Sequence, residues 1–300
     1  MPEISTDNSS GTNLQSSPHS LLLAGGAAEL ASAGVENSRL DAEMMLAAAC
    51  QGSRAAVICG LAKIDRDARE RYMAMIARRK RREPLAYILG YREFYSLEFE
   101  VTPAVLIPRP ETETVVAGAL NFIRNRPEAR VCDIGTGSGA IAVSIAANAG
   151  GAHLTATDVS SDALMVARRN AIRLKLASRI TFSEADCFDP IDKLEALGRF
   201  DLVVSNPPYI REDEIAWLSP EVSRFEPRIA LAGGHDGLAL YRRIAARLMG
   251  HVEHGGCVIV EIDADRSNVV TEIMRNAGAT GTKVMCDLAR LPRAVVAEFD

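Results

Sequence analysis

The sequence predicts an α/β fold: a small all-α N-terminal domain, then a seven-stranded sheet, parallel except for a terminal antiparallel hairpin. Three observations carry this. Residues 21–89 are alanine-rich with apolar residues at helical spacing and no strand-like alternation. From residue 130 onward, short β-branched runs alternate with helical stretches, the signature of a parallel sheet. The last two apolar runs, 282–285 and 293–299, are joined by a short polar connection. A parallel pair needs a crossover of about a dozen residues, so these two must pair antiparallel.

A length of 300 residues suits two domains at ~150 residues each. Hydrophobic content of 48% with 24% charge excludes a disordered or fibrous chain. A net charge of −5 argues against bulk electrostatic attraction to nucleic acid, so no direct nucleic-acid partner is expected. No apolar run reaches ~18 residues, so no membrane span is expected. Residues 1–20 are rich in Ser, Asn and Thr and lack a basic-then-apolar order; they read as a disordered leader rather than a secretory signal. Cysteines at 50, 59, 132, 187, 257 and 286 form no C-x-x-C pair. Reduced thiols in a cytoplasm, with no metal site, are the expectation. His251 and His254 read as an exposed helix end rather than metal ligands.

In the helical domain, Leu40, Met44, Met45 and Ala48 recur at helix spacing behind the candidate cap Ser38. Asp41 and Glu43 fall in the first turn, where the helix dipole favours them. A further helix over 66–82 carries Tyr72, Met75 and Ile76 on its apolar face. It ends in Arg78-Arg79-Lys80-Arg81-Arg82, either a solvated helix end or a contact for an acidic or RNA-associated partner. Residues 90–110 read as a linker containing a hairpin, with apolar alternation over 95–101. Within it Arg109 is held between Pro108 and Pro110, and Pro110 can open a helix with Glu111 and Glu113 in its acidic first turn.

The sheet domain is placed at 111–300, with strands at 129–134, 153–157, 180–183, 200–204, 256–262, 282–285 and 293–299. Helices are expected to about 148, then over 161–174, 238–249 and 267–277. This Rossmann-like pattern, closed by an antiparallel hairpin, fits a class I S-adenosylmethionine-dependent methyltransferase better than a dinucleotide-binding domain. Gly135, Gly137 and Ala140 also satisfy the dinucleotide glycine pattern, which alone is weak. Asp133, two residues earlier, would repel a pyrophosphate but suits the cationic ammonium of S-adenosylmethionine. Asp158 closes the second strand, where a carboxylate can accept both ribose hydroxyls. Asp186 closes the third, where an adenine would be held. Each aspartate alone could be a loop residue or helix cap, but three at successive strand ends make a site.

The fourth strand leads into Ser205-Asn206-Pro207-Pro208-Tyr209. The prolines forbid continuation of the strand and push Asn206 out of the helical region. A side-chain carbonyl on Asn206 beside the main-chain carbonyl of Pro207 makes a receptor for an NH2 group, and the Tyr209 ring can stack on the plane that carries it. Such a nitrogen is a poor nucleophile, and fixing both its hydrogens aligns it for methyl transfer. The alternative is an ordinary strand-ending turn with a buried tyrosine.

The stretch 106–113 (Leu106-Ile107-Pro108-Arg109-Pro110-Glu111-Thr112-Glu113), together with 133–139 and 206–209, resembles the peptide chain release factor N(5)-glutamine methyltransferase family over roughly residues 20–300. Glu226-Pro227, Ala230-Leu231 and Asp236-Gly237-Leu238 continue the resemblance. It implies S-adenosylmethionine as cofactor, held by Asp133, Gly135, Thr136, Gly137, Ser138, Gly139, Asp158, Asp186 and Cys187, with Asn206 alongside. It implies catalysis by Asn206, Pro207 and Tyr209, with Pro208 and Arg109 also meeting the substrate, the glutamine of a release factor's Gly-Gly-Gln loop. Residues 21–89 would recognise that protein partner. Ser96 replaces a usual glycine, Cys187 a usual aromatic residue, and Glu261-Ile262-Asp263 the more usual Glu-His/Leu-Gly pattern after the fifth strand. Methylation of a ribosomal-protein glutamine or of DNA adenine, and a catalytically silent paralogue, are the alternative readings.

Overall fold

The computed structural model describes residues 18–187 and 198–300, and the chain divides into two units between Leu89 and Gly90. Most of the expected leader lies outside the described residues, and helix already begins at Pro18. The first unit consists of α1 (Pro18–Ser32), α2 (Ser38–Ala49), α3 (Arg54–Ile58), α4 (Arg66–Lys80) and α5 (Leu85–Leu89). Side-chain oxygens of Ser53 and Asp65 cap α3 and α4, accepting from Ala56 N (3.1 Å) and Ala68 N (2.8 Å). Leu23, Leu30, Met45, Leu46, Tyr72 and Ile76 form the core, each buried group contributing ~1.5–3 kcal/mol. Gly26 is required there, because a Cβ would lie 2.0 Å from the Tyr72 hydroxyl oxygen.

Several expectations for this unit are corrected. Of the expected apolar face of α2 only Met45 is fully buried: Leu40 is 41% exposed, Met44 and Ala48 are half-buried, and Ala42, Leu46 and Ala49 turn inward beside Met45. Ser38 is the first helical residue rather than the cap, and Asn37 before it makes no side-chain cap bond. Asp41 and Glu43, read as first-turn acids favoured by the helix dipole, are buried. Asp41 pairs with Arg79 at 2.8 Å, and Glu43 receives Arg39 at 2.7 Å and Arg54 at 2.8 Å. The basic run is largely consumed by such pairs. Arg78 donates to Glu83, Arg79 is buried against Asp41, and Lys80 reaches Glu29. Burial alone would raise Glu43's pKa, yet the two guanidiniums hold it below the usual value.

The second unit opens with the antiparallel pair β1 (Tyr91–Phe94) and β2 (Leu97–Glu100). Both turn residues, Tyr95 (φ 50°) and Ser96 (φ 59°), are left-handed, the demand of a tight primed hairpin turn. That is why glycine suits position 96. A 3₁₀ turn at Pro110–Thr112 runs into α6 (Glu113–Ile123), as Pro110 at its first position foretells.

The sheet comprises β3 (Arg130–Ile134), β4 (His153–Asp158), β5 (Ile180–Glu184), β6 (Phe200–Ser205), β7 (Val252–Glu261), β8 (Gly281–Cys286) and β9 (Pro292–Phe299). Their order is β5-β4-β3-β6-β7-β9-β8. β9 lies antiparallel between β7 and β8, and the remaining neighbours are parallel. Alternate residues feed two cores: Val131, Leu202 and Val204 on one face, Cys132, Val203 and Val258 on the other. Coverage on both faces explains strands that read as unbroken apolar runs. α7 (Ala140–Asn148) and α8 (Ser161–Arg173) follow β3 and β4.

β7 begins earlier than expected, at Val252, because Gly255 (φ 72°) carries a register irregularity against Phe200–Leu202 rather than a strand start. The single helix expected over 238–249 is two, Ala239–Ala245 and Leu248–His251. His251, expected at an exposed helix end, is buried, with Nδ1 2.8 Å from the Arg247 carbonyl. No described helix is long and apolar enough to cross a membrane.

Candidate active site

From β3 the chain passes to β4 on one side and returns later as β6 on the other. The crevice at the carboxyl ends of such strands is where open α/β sheets bind ligands. The loop after β3 turns sharply because Gly135, Gly137 and Gly139 all have positive φ (70°, 56° and 83°). A Cβ on Gly135 or Gly137 would meet nothing within 4 Å, so a ligand can approach the backbone closely there. Gly139 faces the other way, onto Ala167 of α8.

Asp133 is fully buried beneath this loop. Its Oδ2 accepts from the Thr136 hydroxyl (2.6 Å) and Ala142 N (3.2 Å), while Oδ1 has no hydrogen-bond partner. Burial pushes its pKa up to about 7. The carboxylate therefore braces the loop from below and does not line the cavity above it.

That cavity, about 310 Å³, is lined by Gly135–Ser138, Asp158, Asp186, Cys187 and Asn206, which the sequence singles out, and by apolar Val159, Ala163, Ala185 and Leu240. Asp158 accepts from Gly137 N and Ser160 N, both at 2.9 Å, and burial raises its pKa. Two carboxylate oxygens offer about four acceptor positions, so it retains capacity for a ligand. Asp186 is paired with Arg243 at 2.7 Å, and both border the cavity. Cys187 is buried with φ 58°, presenting a thiol where a ring is usual.

Asn206 reaches the same cavity from the end of β6. Its Nδ2 donates to the Thr112 hydroxyl oxygen at 3.0 Å. Pro208 also lines the cavity, whereas Pro207 is buried and Tyr209 packs half-buried against the second core. Burial, followed by the charges of Glu261 and Asp263, pushes the Tyr209 phenol upward. The backbone of this turn is clamped by two glycines: a Cβ on Gly233 would lie 2.7 Å from the Pro208 carbonyl oxygen, and one on Gly237 2.3 Å from that of Tyr209. Arg109 is not among the cavity-lining residues. It pairs with the buried Glu226 at 2.6 Å, and burial still raises Glu226 above its usual value despite that guanidinium.

Residues 22–90 match the PrmC N-terminal domain family and residues 118–218 the methyltransferase small domain family. Proteins named release factor glutamine methyltransferase align over most of the chain. That of Bradyrhizobium diazoefficiens is 39% identical over 302 residues, covering 99% of this chain and 98% of the relative. That of Moorella thermoacetica is 40% identical over 270 residues, covering 89% and 94%. The chain belongs to the release factor glutamine methyltransferase family. Among solved structures, the hMettl16 catalytic domain in complex with a MAT2A 3'UTR hairpin has a TM-score of 0.57 at 18% identity, over 75% of this chain and 82% of that one. That likeness bears on the methyltransferase fold alone.

Three residues paired with these candidate positions escape a reading of the sequence: Thr112, Glu226 and Arg243. Each is tied to the site by a long-range pairing, such as the 94 residues between Thr112 and Asn206. Thr112 and Glu226 lie inside motifs that were legible, but nothing local marks Arg243, a basic residue on an ordinary helix.

Proposed function

We propose that this chain transfers a methyl group from S-adenosylmethionine to the side-chain amide nitrogen of the glutamine in a release factor's Gly-Gly-Gln loop. The observation that carries the reading is Asn206: its amide faces the cavity bounded by the glycine loop and Asp158, with Nδ2 tied to Thr112 and Oδ1 left as an acceptor. The residues present fit the cofactor: open space over Gly135 and Gly137, a carboxylate at the end of β4, and apolar walls. When bound, the cofactor supplies an electrophilic methyl carbon on a sulfonium.

The chain's own residues do the rest. Asp158 would hold the ribose hydroxyls, and Val159, Ala185, Cys187 and Leu240 would enclose the adenine. Asn206 Oδ1 would accept one N–H of the substrate amide and the Pro207 carbonyl the other, fixing the nitrogen in line. Water can take the proton shed by the methylated nitrogen. The test is incubation with labelled methyl donor and purified release factors, beside a control whose loop glutamine is alanine. Label in the control, or none in any release factor, overturns the reading.

Asp158→Ala is expected to weaken cofactor binding mainly. Charge-assisted hydrogen bonding to the ribose is lost, and Gly137 N and Ser160 N lose their acceptor; at ~1.5–3 kcal/mol for a hydrogen bond to a charged group, affinity should fall roughly tenfold or more. Calorimetry giving wild-type affinity would remove Asp158 from the site.

A further inference from the structure

We infer that Asn170 is a positioning residue for the methyl donor: it holds the glycine loop by the Ser138 carbonyl and takes its own bearing from the β1–β2 hairpin. The inference rests on the proposed S-adenosylmethionine site. Asn170 lies in α8 and is fully buried. Asparagine is a poor helix former, and a buried amide costs free energy unless its hydrogen bonds are made. Its Oδ1 accepts from Glu100 N at 2.7 Å. Its Nδ2 donates to the Glu100 carbonyl at 3.0 Å and to the Ser138 carbonyl at 2.9 Å.

All three partners are backbone groups with fixed roles, so the amide has one orientation. Turned by 180°, it would set its oxygen against two carbonyls and its NH2 against an N–H. Both Nδ2 hydrogens have an acceptor, and no other side chain of this length offers one acceptor and two donors in a plane. One buried amide thus ties β2 to the cofactor loop, across 70 residues on one side and 32 on the other.

One face of α8 serves the site along its length. Ala163, Ala167 and Asn170 recur at i, i+4 and i+7. Ala163 lines the cavity, and Ala167 receives the bare face of Gly139, where an added Cβ would lie 3.2 Å from its own. Asn170 then takes the carbonyl of Ser138, a residue that itself borders the cavity. That carbonyl belongs to the planar peptide joining Ser138 to Gly139, so holding it sets the left-handed turn (φ 83°) from which α7 starts. Anchoring the hairpin alone would not require Asn170. Arg169 already pairs with Glu100 at 2.8 Å, and Arg173 with Glu98 at 2.6 Å. What Asn170 adds is the bond to the loop.

The test compares Asn170→Asp, Asn170→Leu and Arg169→Ala in the full chain. Aspartate keeps the acceptor for Glu100 N but turns an oxygen toward the two carbonyls; leucine keeps the volume and drops all three bonds. Arg169→Ala loosens the hairpin without touching Ser138. Readouts are calorimetric affinity for S-adenosylmethionine, its KM and kcat in methylation, and backbone hydrogen exchange. Exchange is read at Gly137 and Gly139, whose N–H groups donate to Asp158 at 2.9 Å and to the Thr136 carbonyl at 2.8 Å, with β3 and β4 as reference. Both Asn170 variants should raise Kd and KM for the methyl donor roughly tenfold and leave kcat at saturating donor within about twofold. Gly137 and Gly139 should exchange faster in them while β3 and β4 keep their protection. Arg169→Ala should change none of these. Wild-type affinity in Asn170→Asp overturns the inference, as does an equal loss in Arg169→Ala. Protection lost in β3 and β4 together with the loop, in both Asn170 variants, makes the residue merely structural and overturns it too. If the wild type binds no S-adenosylmethionine or methylates no release factor, the proposed function fails, while exchange at Gly137 and Gly139 still decides whether Asn170 holds the loop.

Discussion

Replacing Asn206 with alanine is expected to lower kcat about a hundredfold to a thousandfold while cofactor affinity changes little. Positioned hydrogen bonds of this kind are worth ~2.7–4 kcal/mol in the transition state. The alanine variant removes the acceptor that holds one N–H of the substrate amide, and the NH2 is then free to rotate out of line. It also leaves the Thr112 hydroxyl without its donor. Asn206→Asp keeps an acceptor at the cavity but turns a second acceptor toward the Thr112 hydroxyl in place of the Nδ2 donor. The aspartate variant should therefore fall as well, though less than alanine, because it can still receive the substrate N–H. Single-turnover methylation of a release factor, alongside calorimetry of the methyl donor, separates catalysis from binding. Near-normal turnover in Asn206→Ala would sink the amide clamp, whatever the family membership implies.

Much of the sheet was legible because its strands are covered on both faces. β3 and β6 appear in the sequence as apolar runs ended by Asp or Asn, and the short link before β9 dictated its antiparallel pairing. The glycine loop was legible because positive φ leaves few other residue types available. What periodicity cannot see is a charge turned inward. α2 was given the wrong buried face because Asp41 and Glu43 count as polar in any apolar pattern, and their partners on α4, on α3 and at Arg39 make them core residues. Arg78–Arg82 read as a solvated helix end or a docking contact for the same reason, since Asp41 and Glu29 are separated from their partners in it by 38 and 51 residues. In the active site, Asp133 was assigned to the right loop with the wrong orientation: it braces the glycines from below. Arg109 was singled out for its stiff flanks, and its partner Glu226 lies 117 residues away.

Arg79→Ala is expected to destabilise the helical unit by about 3–5 kcal/mol, the cost of leaving a buried charge without its partner. Arg79 and Asp41 are each less than a tenth exposed, with Nε donating to Oδ2 at 2.8 Å, and Arg79 Nη1 also caps the Glu83 carbonyl at 3.1 Å. Removing the guanidinium strands Asp41 between α2 and α4, where water cannot replace five donors in a fixed fork. Arg79→Lys should recover only part of the loss, since an ammonium cannot serve the carboxylate and the carbonyl with the same geometry. Replacing both members together, Asp41→Leu with Arg79→Met, should cost far less than either alone, because no unpaired charge remains and the apolar volume is kept. A two-unit chain need not unfold in a single step, so the measurement is hydrogen exchange read separately on α2 and α4 and on the sheet strands. Protection should collapse in α2 and α4 of Arg79→Ala while β3, β6 and β7 keep theirs. A loss under about 1 kcal/mol, the range of a surface ion pair, would return Arg79 to the solvated helix end that the basic run first suggested.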